Sequence, residues 1–289
     1  MNYEIFTDVT SDLPSSIIEE YNLKIIPFPY FINGKEFLAK GGDISSLKNF
    51  YSLMREKKHT FGTSMATGEA NEEFFEETLK QGKDILYLSF SSGLSGSFAS
   101  VSVTLERLAK KYPERKVFYI DTLAASMGEG LLVLNCARMR NEGFSIETVR
   151  DWAEAYKLKI CHWFTVEDLD FLRRGGRVSA ATAIVGSVLQ IKPILHVDNA
   201  GHLISVGRTK GRKASIEKIC SKIGELGADI EKQTVMISHG DCLEDAEYLA
   251  DMIKQKYNPK EIIINYINST IGSHSGPGTL AVFFIGTKR

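Results

Sequence analysis

The 289-residue chain contains only four cysteines, no long apolar run and almost no net charge. The cysteines lie far apart and include no C-x-x-C pair, so the sequence predicts neither a disulfide framework nor a cysteine-based metal site. We expect buried, reduced thiols instead. The apolar runs are of strand length, well below the roughly 18 residues that a membrane-spanning helix requires.

A basic leader is also absent, since the sequence starts MNYEIFTDVTSDLP, with acids and no basic segment before an apolar core. We therefore expect no signal peptide and a cytoplasmic location. The formal net charge of -1 gives no overall field that would attract nucleic acid or an anionic membrane surface. With 43% hydrophobic and 25% charged residues, the composition is typical of a globular protein.

Two common phosphate-binding patterns are missing as well. The sequence has no G-x-x-x-x-G-K-[ST] and no strand followed by G-x-G-x-x-G, which argues against the common types of nucleotide site. Asp8, Asp12 and Asp121 are candidates for a carboxylate cluster, but Asp12 is better explained as a helix cap and the other two as turn formers at strand ends. We expect no metal and no cofactor.

The first half of the sequence alternates short apolar runs with longer amphipathic stretches. This pattern predicts α/β units on a largely parallel sheet. After residue 158 the pattern changes, and a hairpin that turns at residues 198–201 mixes with further α/β units. The sequence therefore predicts two α/β domains, one over residues 1–158 and one over residues 159–289.

Four turns rich in small and hydroxyl-bearing residues stand out, at residues 62–69, 89–100, 173–179 and 269–278. At the carboxyl ends of strands in an α/β sheet, such turns place backbone N–H groups and helix amino termini around a ligand. The turn SFSSGLSGSFAS at 89–100 directly follows an apolar strand and suits an anionic ligand. The candidates are a phosphate, a reacting oxyanion and a carboxylate.

The missing phosphate patterns leave an oxyanion or a carboxylate. GLSGS differs by one residue from the G-x-S-x-G turn that carries the nucleophile of many hydrolases. Ser95 precedes His274 in the chain, just as the nucleophile precedes the histidine in those hydrolases. A serine-type acyl hydrolase using Ser95 and His274 is therefore the alternative, although the sequence identifies no acidic partner for the histidine. A carboxylate fits better, because hydroxyl groups and a histidine bind it without a strong nucleophile.

Seven segments occur in order along the chain: TDVTSDLP, TSMAT, SSGLSGSF, FLRRGGRVS, KPIL, GRTKGR and HSGPGT. On these motifs the chain resembles the DegV family, bacterial proteins that are the fatty-acid-binding subunits of a two-component fatty acid kinase. The resemblance implies two α/β domains with an acyl chain in a pocket between them. It also implies that Thr63, Ser95 and His274 bind the carboxylate of a long-chain fatty acid.

The resemblance assigns the ATP chemistry to a separate partner, the catalytic subunit of the kinase, so we expect a lipid-binding subunit and not an enzyme. The sequence has two basic clusters, one of Arg173, Arg174 and Arg177 and one of Arg208, Lys210, Arg212 and Lys213. The resemblance favours docking of this partner as their role, with Arg177 and Arg208 as the contacts. These clusters lack interleaved aromatic residues, which argues against nucleic-acid binding.

Met65 and Phe98 replace a glutamine and a tyrosine that are usual in the family, and we expect both to favour an apolar pocket lining.

Overall fold

The computed structural model describes residues 2–40, 44–178 and 190–289. The strands in these residues are β1 (Tyr3–Asp8), β2 (Lys24–Ile26), β3 (Phe28–Ile32), β4 (Lys35–Ala39), β5 (Phe61–Thr63), β6 (Asp84–Ser89), β7 (Val117–Asp121), β8 (Ile160–Thr165), β9 (Ile191–Val197), β10 (Leu203–Lys210), β11 (Thr234–His239), β12 (Glu261–Tyr266) and β13 (Leu280–Ile285). The α-helices are α1 (Ser15–Glu20), α2 (Ile44–Arg55), α3 (Gly68–Lys80), α4 (Ser97–Lys111), α5 (Met127–Asn141), α6 (Ile146–Tyr156), α7 (Asp170–Arg174), α8 (Arg212–Leu226), α9 (Leu243–Tyr257) and α10 (Ser269–Ser275). In this part of the chain, none of the helices combines the length and the hydrophobicity needed to cross a membrane.

Four parallel strands form the first sheet, in the order β2-β1-β6-β7. The two central strands, β1 and β6, are buried along nearly their whole length, as expected for a parallel sheet that is covered on both faces. α3 and α4 pack on one face, around Phe6 and Tyr87. α5 and α6 pack on the other face, around Ile5 and Leu86. The parallel α/β arrangement predicted for the first half is therefore confirmed.

The second sheet has six strands in the order β10-β9-β8-β13-β11-β12. Only its β11–β12 pair is parallel, and the other pairs of this sheet are antiparallel. α8 and α9 cover one face of this sheet. The other face packs against α5, which also contacts β1 and β6 of the first sheet. α5 therefore lies between the two sheets and belongs to a core that they share.

A small antiparallel sheet, in the order β4-β3-β5, places Thr63 at the end of β5. α10, from the other end of the chain, packs against β3 and β5.

The α/β class that the sequence predicts is confirmed. The strands of the first sheet and of the small sheet precede residue 158, and those of the six-stranded sheet follow it. Since α5 packs on both large sheets, the division into domains 1–158 and 159–289 stays a prediction.

Two segments differ from the expectations. The sequence predicts a turn over residues 269–278, but Ser269–Ser275 form the short helix α10, which is capped by Asn268. Asp12 does not cap α1, because Pro14 occupies the cap position. Asp12 instead ends the 3-10 turn Val9–Ser11 in a left-handed conformation with φ 52°, which aspartate tolerates better than most residues.

Candidate functional site

A mostly apolar cavity lies between the two halves of the chain. Its aromatic and aliphatic lining includes Phe28, Phe90, Phe164, Val197, Leu203 and Phe283. Side chains alternate along a strand, so Phe164 of β8 and Phe283 of β13 face this cavity, while Trp163 and Phe284 join the core under α8 and α9. The apolar space therefore forms only where both halves of the chain meet.

The three predicted carboxylate-binding residues all line this cavity. Thr63 Oγ1 lies 2.7 Å from His274 Nε2. The Ser95 hydroxyl oxygen lies 2.8 Å from that of Ser97, the first residue of α4. The Ser97 hydroxyl in turn accepts a hydrogen bond of 3.1 Å from the Ala66 N–H. The turn after β5 and the turn after β6 are thus joined directly, which brings their hydroxyl groups to the same part of the cavity.

The His274 imidazole is held tightly between neighbours. A Cβ atom on Gly175 would lie 2.3 Å from His274 Nδ1, so only glycine fits at that position of the FLRRGGRVS motif. Burial, and secondarily the positive charge of Arg177, lowers the pKa of His274 to about 4. The ring is therefore neutral near pH 7, and one of its two nitrogens donates a hydrogen bond while the other accepts.

The two arginines of the predicted partner surface occupy different environments. Arg177 is half-buried and lines the cavity. Its guanidinium donates to the Gly175 carbonyl at 2.5 Å and to the Leu94 carbonyl at 3.3 Å. Arg208 is exposed on β10. The predicted partner contact stays a prediction for both residues, and Arg177 additionally brings positive charge to the cavity. Ser179, the last residue of the predicted turn at 173–179, lies outside the described residues.

The geometry does not form the serine–histidine pair that the hydrolase alternative requires. The Ser95 hydroxyl is paired with Ser97, and the His274 Nε2 is paired with Thr63. The other nitrogen of His274 faces Gly175, which leaves no room there for an orienting carboxylate. The arrangement provides hydrogen-bond partners for an anion without an activated nucleophile.

Several cavity residues were missed by the sequence reasoning. His162 also lines the cavity, with 1% of its surface exposed, and its Nδ1 donates to the Ile160 carbonyl at 2.9 Å. Ser126 and Ser238 line the same space, with their hydroxyl oxygens 2.8 Å apart. The alternation of side chains along β8 could have identified His162 as a cavity residue, because it places His162 on the same face of the strand as Phe164.

Met65 and Phe98, the two residues that are unusual for the family, lie in different environments. Met65 lines the cavity as expected, and 46% of its surface is exposed. Phe98 is not among the cavity-lining residues and packs on Tyr119, with ring centroids 6.3 Å apart. The prediction that Phe98 would add to the pocket lining is therefore wrong. As the second residue of α4, Phe98 points to the strand β7 that this helix covers.

A second, more polar cleft adjoins the cavity. The two share Thr63, Arg177 and His274. The cleft is also lined by charged and polar side chains, which include Lys57, His59, Asp168, Asp170 and Arg174. Arg174 is paired with Asp170. The polar end of the apolar cavity therefore opens towards a space that suits a polar reactant.

Comparisons with known proteins show the family to which this chain belongs. The DegV family model, described as "Uncharacterised protein, DegV family", matches residues 2–287. A DegV domain-containing protein of Clostridium perfringens is 43% identical in an alignment of 291 positions that covers 99% of this chain and 98% of that protein. A DegV lipid binding protein from Thermotoga maritima has a TM-score of 0.88 at 27% identity, with both chains covered to 100%. DegV of Bacillus subtilis, a fatty acid binding protein, has a TM-score of 0.83 at 26% identity, with 99% of this chain and 100% of that chain covered. The chain belongs to the DegV family.

Proposed function

We propose that this protein binds a long-chain fatty acid, with the tail in the apolar cavity and the carboxylate at Thr63, Ser95 and His274. The observation that carries the proposal is the Thr63–His274 hydrogen bond at the polar end of an otherwise apolar cavity. The similarity to the fatty acid binding protein of Bacillus subtilis supports the same ligand class. An amphipathic ligand with one anionic end matches this distribution of polar and apolar groups.

The neutral histidine orients the threonine hydroxyl. If His274 Nε2–H donates to Thr63 Oγ1, the hydroxyl hydrogen of Thr63 is free to donate to a carboxylate oxygen. The Ser95 hydroxyl supplies a second donor from the turn after β6. The half-buried Arg177 adds a positive charge nearby, which favours the ionised form of the acid.

The apolar tail supplies most of the affinity. Burying one methylene group contributes about 0.8 kcal/mol, so a tail of about fifteen contributes roughly 12 kcal/mol before the costs of association and ordering are subtracted. A hydrogen bond to a charged group adds about 1.5–3 kcal/mol. The three polar residues therefore fix the orientation of the ligand more than its total affinity.

We further propose that the bound carboxylate is presented to a separate fatty acid kinase, which forms the acyl phosphate. The polar cleft that shares Thr63, Arg177 and His274 with the cavity gives a phosphoryl donor access to the carboxylate. The sequence has neither of the common nucleotide-binding patterns, so the donor is held by the partner. The exposure of Arg208 on β10 supports the proposal that this residue contacts an acidic surface of that partner.

Organic extraction of the purified protein, followed by mass spectrometry, tests the ligand class. We expect a fatty acid to co-purify in near-stoichiometric amount. Steady hydrolysis of a p-nitrophenyl ester without any retained lipid would instead support the hydrolase alternative. Acyl-phosphate formation that requires both the protein and an added bacterial fatty acid kinase would support the partner role.

A further inference from the structure

Asp12 of the TDVTSDLP motif does not itself line the cavity, but it contacts Ser126, which does, and it is held by several further buried contacts. The residue is 4% exposed and has a left-handed backbone with φ 52°. Its carboxylate is buried, so each of its oxygens requires hydrogen-bond donors. The hydrogen-bond partners of this buried carboxylate indicate what it does.

Those partners come from two other parts of the chain. One carboxylate oxygen accepts from the Asn268 N–H at 2.8 Å and from the Asn268 side-chain amide at 2.5 Å. The other oxygen accepts from the Ser126 hydroxyl at 2.5 Å. The Asp12 backbone carbonyl accepts from the Asn265 side chain at 2.8 Å. Asp12 therefore ties the first sheet to the loop that leads from β12 into α10.

Asn268 passes this constraint on to the helix that carries His274. Its side-chain oxygen accepts from the N–H groups of Thr270 at 2.7 Å and Ile271 at 3.2 Å, which caps α10. Asp12 binds the amide nitrogen of the same side chain and so fixes the orientation of the cap. His274 lies six residues after Asn268, about 9 Å along the helix axis. A helix of seven residues has little stability of its own, so its position depends on contacts of this kind.

We propose that Asp12 is a positioning residue for the carboxylate site: through Asn268 it holds α10 so that His274 stays within hydrogen-bond distance of Thr63. This inference rests on the proposed fatty-acid function. It predicts that loss of the Asp12 side-chain acceptor for Asn268 weakens recognition of the ligand's charged end and spares recognition of its tail.

The variants are chosen to separate positioning from general stability. Asp12→Gly removes the side chain and still accepts the left-handed backbone, whereas Asp12→Asn keeps an acceptor for Asn268. Asn268→Ser keeps a cap for α10 and loses the amide that binds Asp12. Glu129→Gln is the matched control, because Glu129 is a buried carboxylate that binds Thr7 and Thr10 and has no bond to α10 among its described contacts.

The measurement is the affinity for palmitate and for 1-hexadecanol, which has the same tail length and no charge. We expect Asp12→Gly and Asn268→Ser to weaken palmitate binding about tenfold or more, the loss of one hydrogen bond to a charged group, with hexadecanol binding unchanged. Asp12→Asn should stay within about twofold of wild type, as should Glu129→Gln. Nitrogen-15 chemical shifts of the His274 ring should move in Asp12→Gly and return in Asp12→Asn.

Equal weakening of palmitate and hexadecanol, or lowered stability with unchanged affinity and unchanged His274 shifts, would overturn the positioning role. If Asp12→Gly does not fold, Asn268→Ser gives the same comparison with the helix cap retained. A wild-type protein that binds hexadecanol but shows no preference for palmitate would overturn the proposed carboxylate site itself, and this inference with it.

Discussion

The Thr63 hydroxyl oxygen lies 2.7 Å from His274 Nε2, although 211 residues separate the two in the sequence. Thr63 ends a strand of the small sheet, and His274 lies in a short helix that follows β12. The pair forms only because α10 packs against β5. The candidate binding site therefore depends on the packing between the two halves of the chain, and the predictions below follow from that arrangement.

His274 should make stability depend on pH. Its folded-state pKa of about 4 lies below the ordinary value of 6.5, so the unfolded chain takes up a proton first as the pH falls. The stability associated with the neutral ring is complete above about pH 6.5 and is lost as the pH falls towards 4. Between pH 7.5 and pH 5, wild type should lose about 2 kcal/mol of unfolding free energy relative to His274→Gln. Urea unfolding at both pH values measures this difference, and identical pH dependence in the two proteins would contradict the account.

Ser95 should behave as a hydrogen-bond donor and not as a nucleophile. The Ser95 hydroxyl is hydrogen-bonded to Ser97, and His274 is hydrogen-bonded to Thr63. His274 therefore does not act as a general base for Ser95 in this arrangement. A fluorophosphonate probe should leave Ser95 unlabelled, as judged by mass spectrometry of tryptic peptides. Stoichiometric labelling at Ser95, abolished by Ser95→Ala, would restore the hydrolase alternative.

Arg177 and Arg208 should give different results when replaced by alanine. Arg208→Ala should leave fatty-acid retention unchanged while it slows association with an added kinase and reduces the salt dependence of that step, because an exposed charge mainly steers encounter. Arg177→Ala should weaken fatty-acid retention and raise the pKa of His274, since Arg177 lies at the cavity and helps to lower that pKa.

Lipid content by mass spectrometry and the His274 ring signals by NMR distinguish the two arginines. If Arg177→Ala retains the wild-type amount of lipid and loses only kinase turnover, both arginines serve the partner, as the sequence alone suggested. If Arg208→Ala loses lipid, Arg208 contributes to lipid binding, and its proposed role as a partner contact alone is wrong.

Much of the fold could be predicted because its strands and longer helices have strong local signals. β6 contains the apolar run at residues 85–88, and α5 follows a strand at a clear turn. α10 could not be predicted, because its seven residues contain three serines and a glycine and its helical state depends on the Asn268 cap and on packing against β5. A short polar sequence of this kind is typical of a turn unless the tertiary structure captures it.

The residue types of the candidate site could be predicted from the sequence, but the contacts around those residues could be predicted only in part. The hydroxyl-rich turns predicted an anionic ligand, and the resemblance to the DegV family selected Thr63 and Ser95 within them. The half-buried position of Arg177 depends on its hydrogen bonds to the Gly175 and Leu94 carbonyls. The role of Gly175 depends on the His274 ring that packs on it from a distant segment. Such contacts are set by tertiary packing and leave no periodic pattern in the sequence.

In the proposed function, Thr63 and Ser95 bind the carboxylate of a fatty acid whose tail fills the cavity. The most direct test is calorimetric titration of wild type and the Thr63→Val, Ser95→Ala double variant with palmitate and with 1-hexadecanol. Ser92→Ala, which changes an exposed serine in the same turn, is the control. We expect the double variant to bind palmitate at least about tenfold more weakly than wild type and to bind hexadecanol as wild type does. Wild-type affinity of the double variant for palmitate would contradict the proposed function.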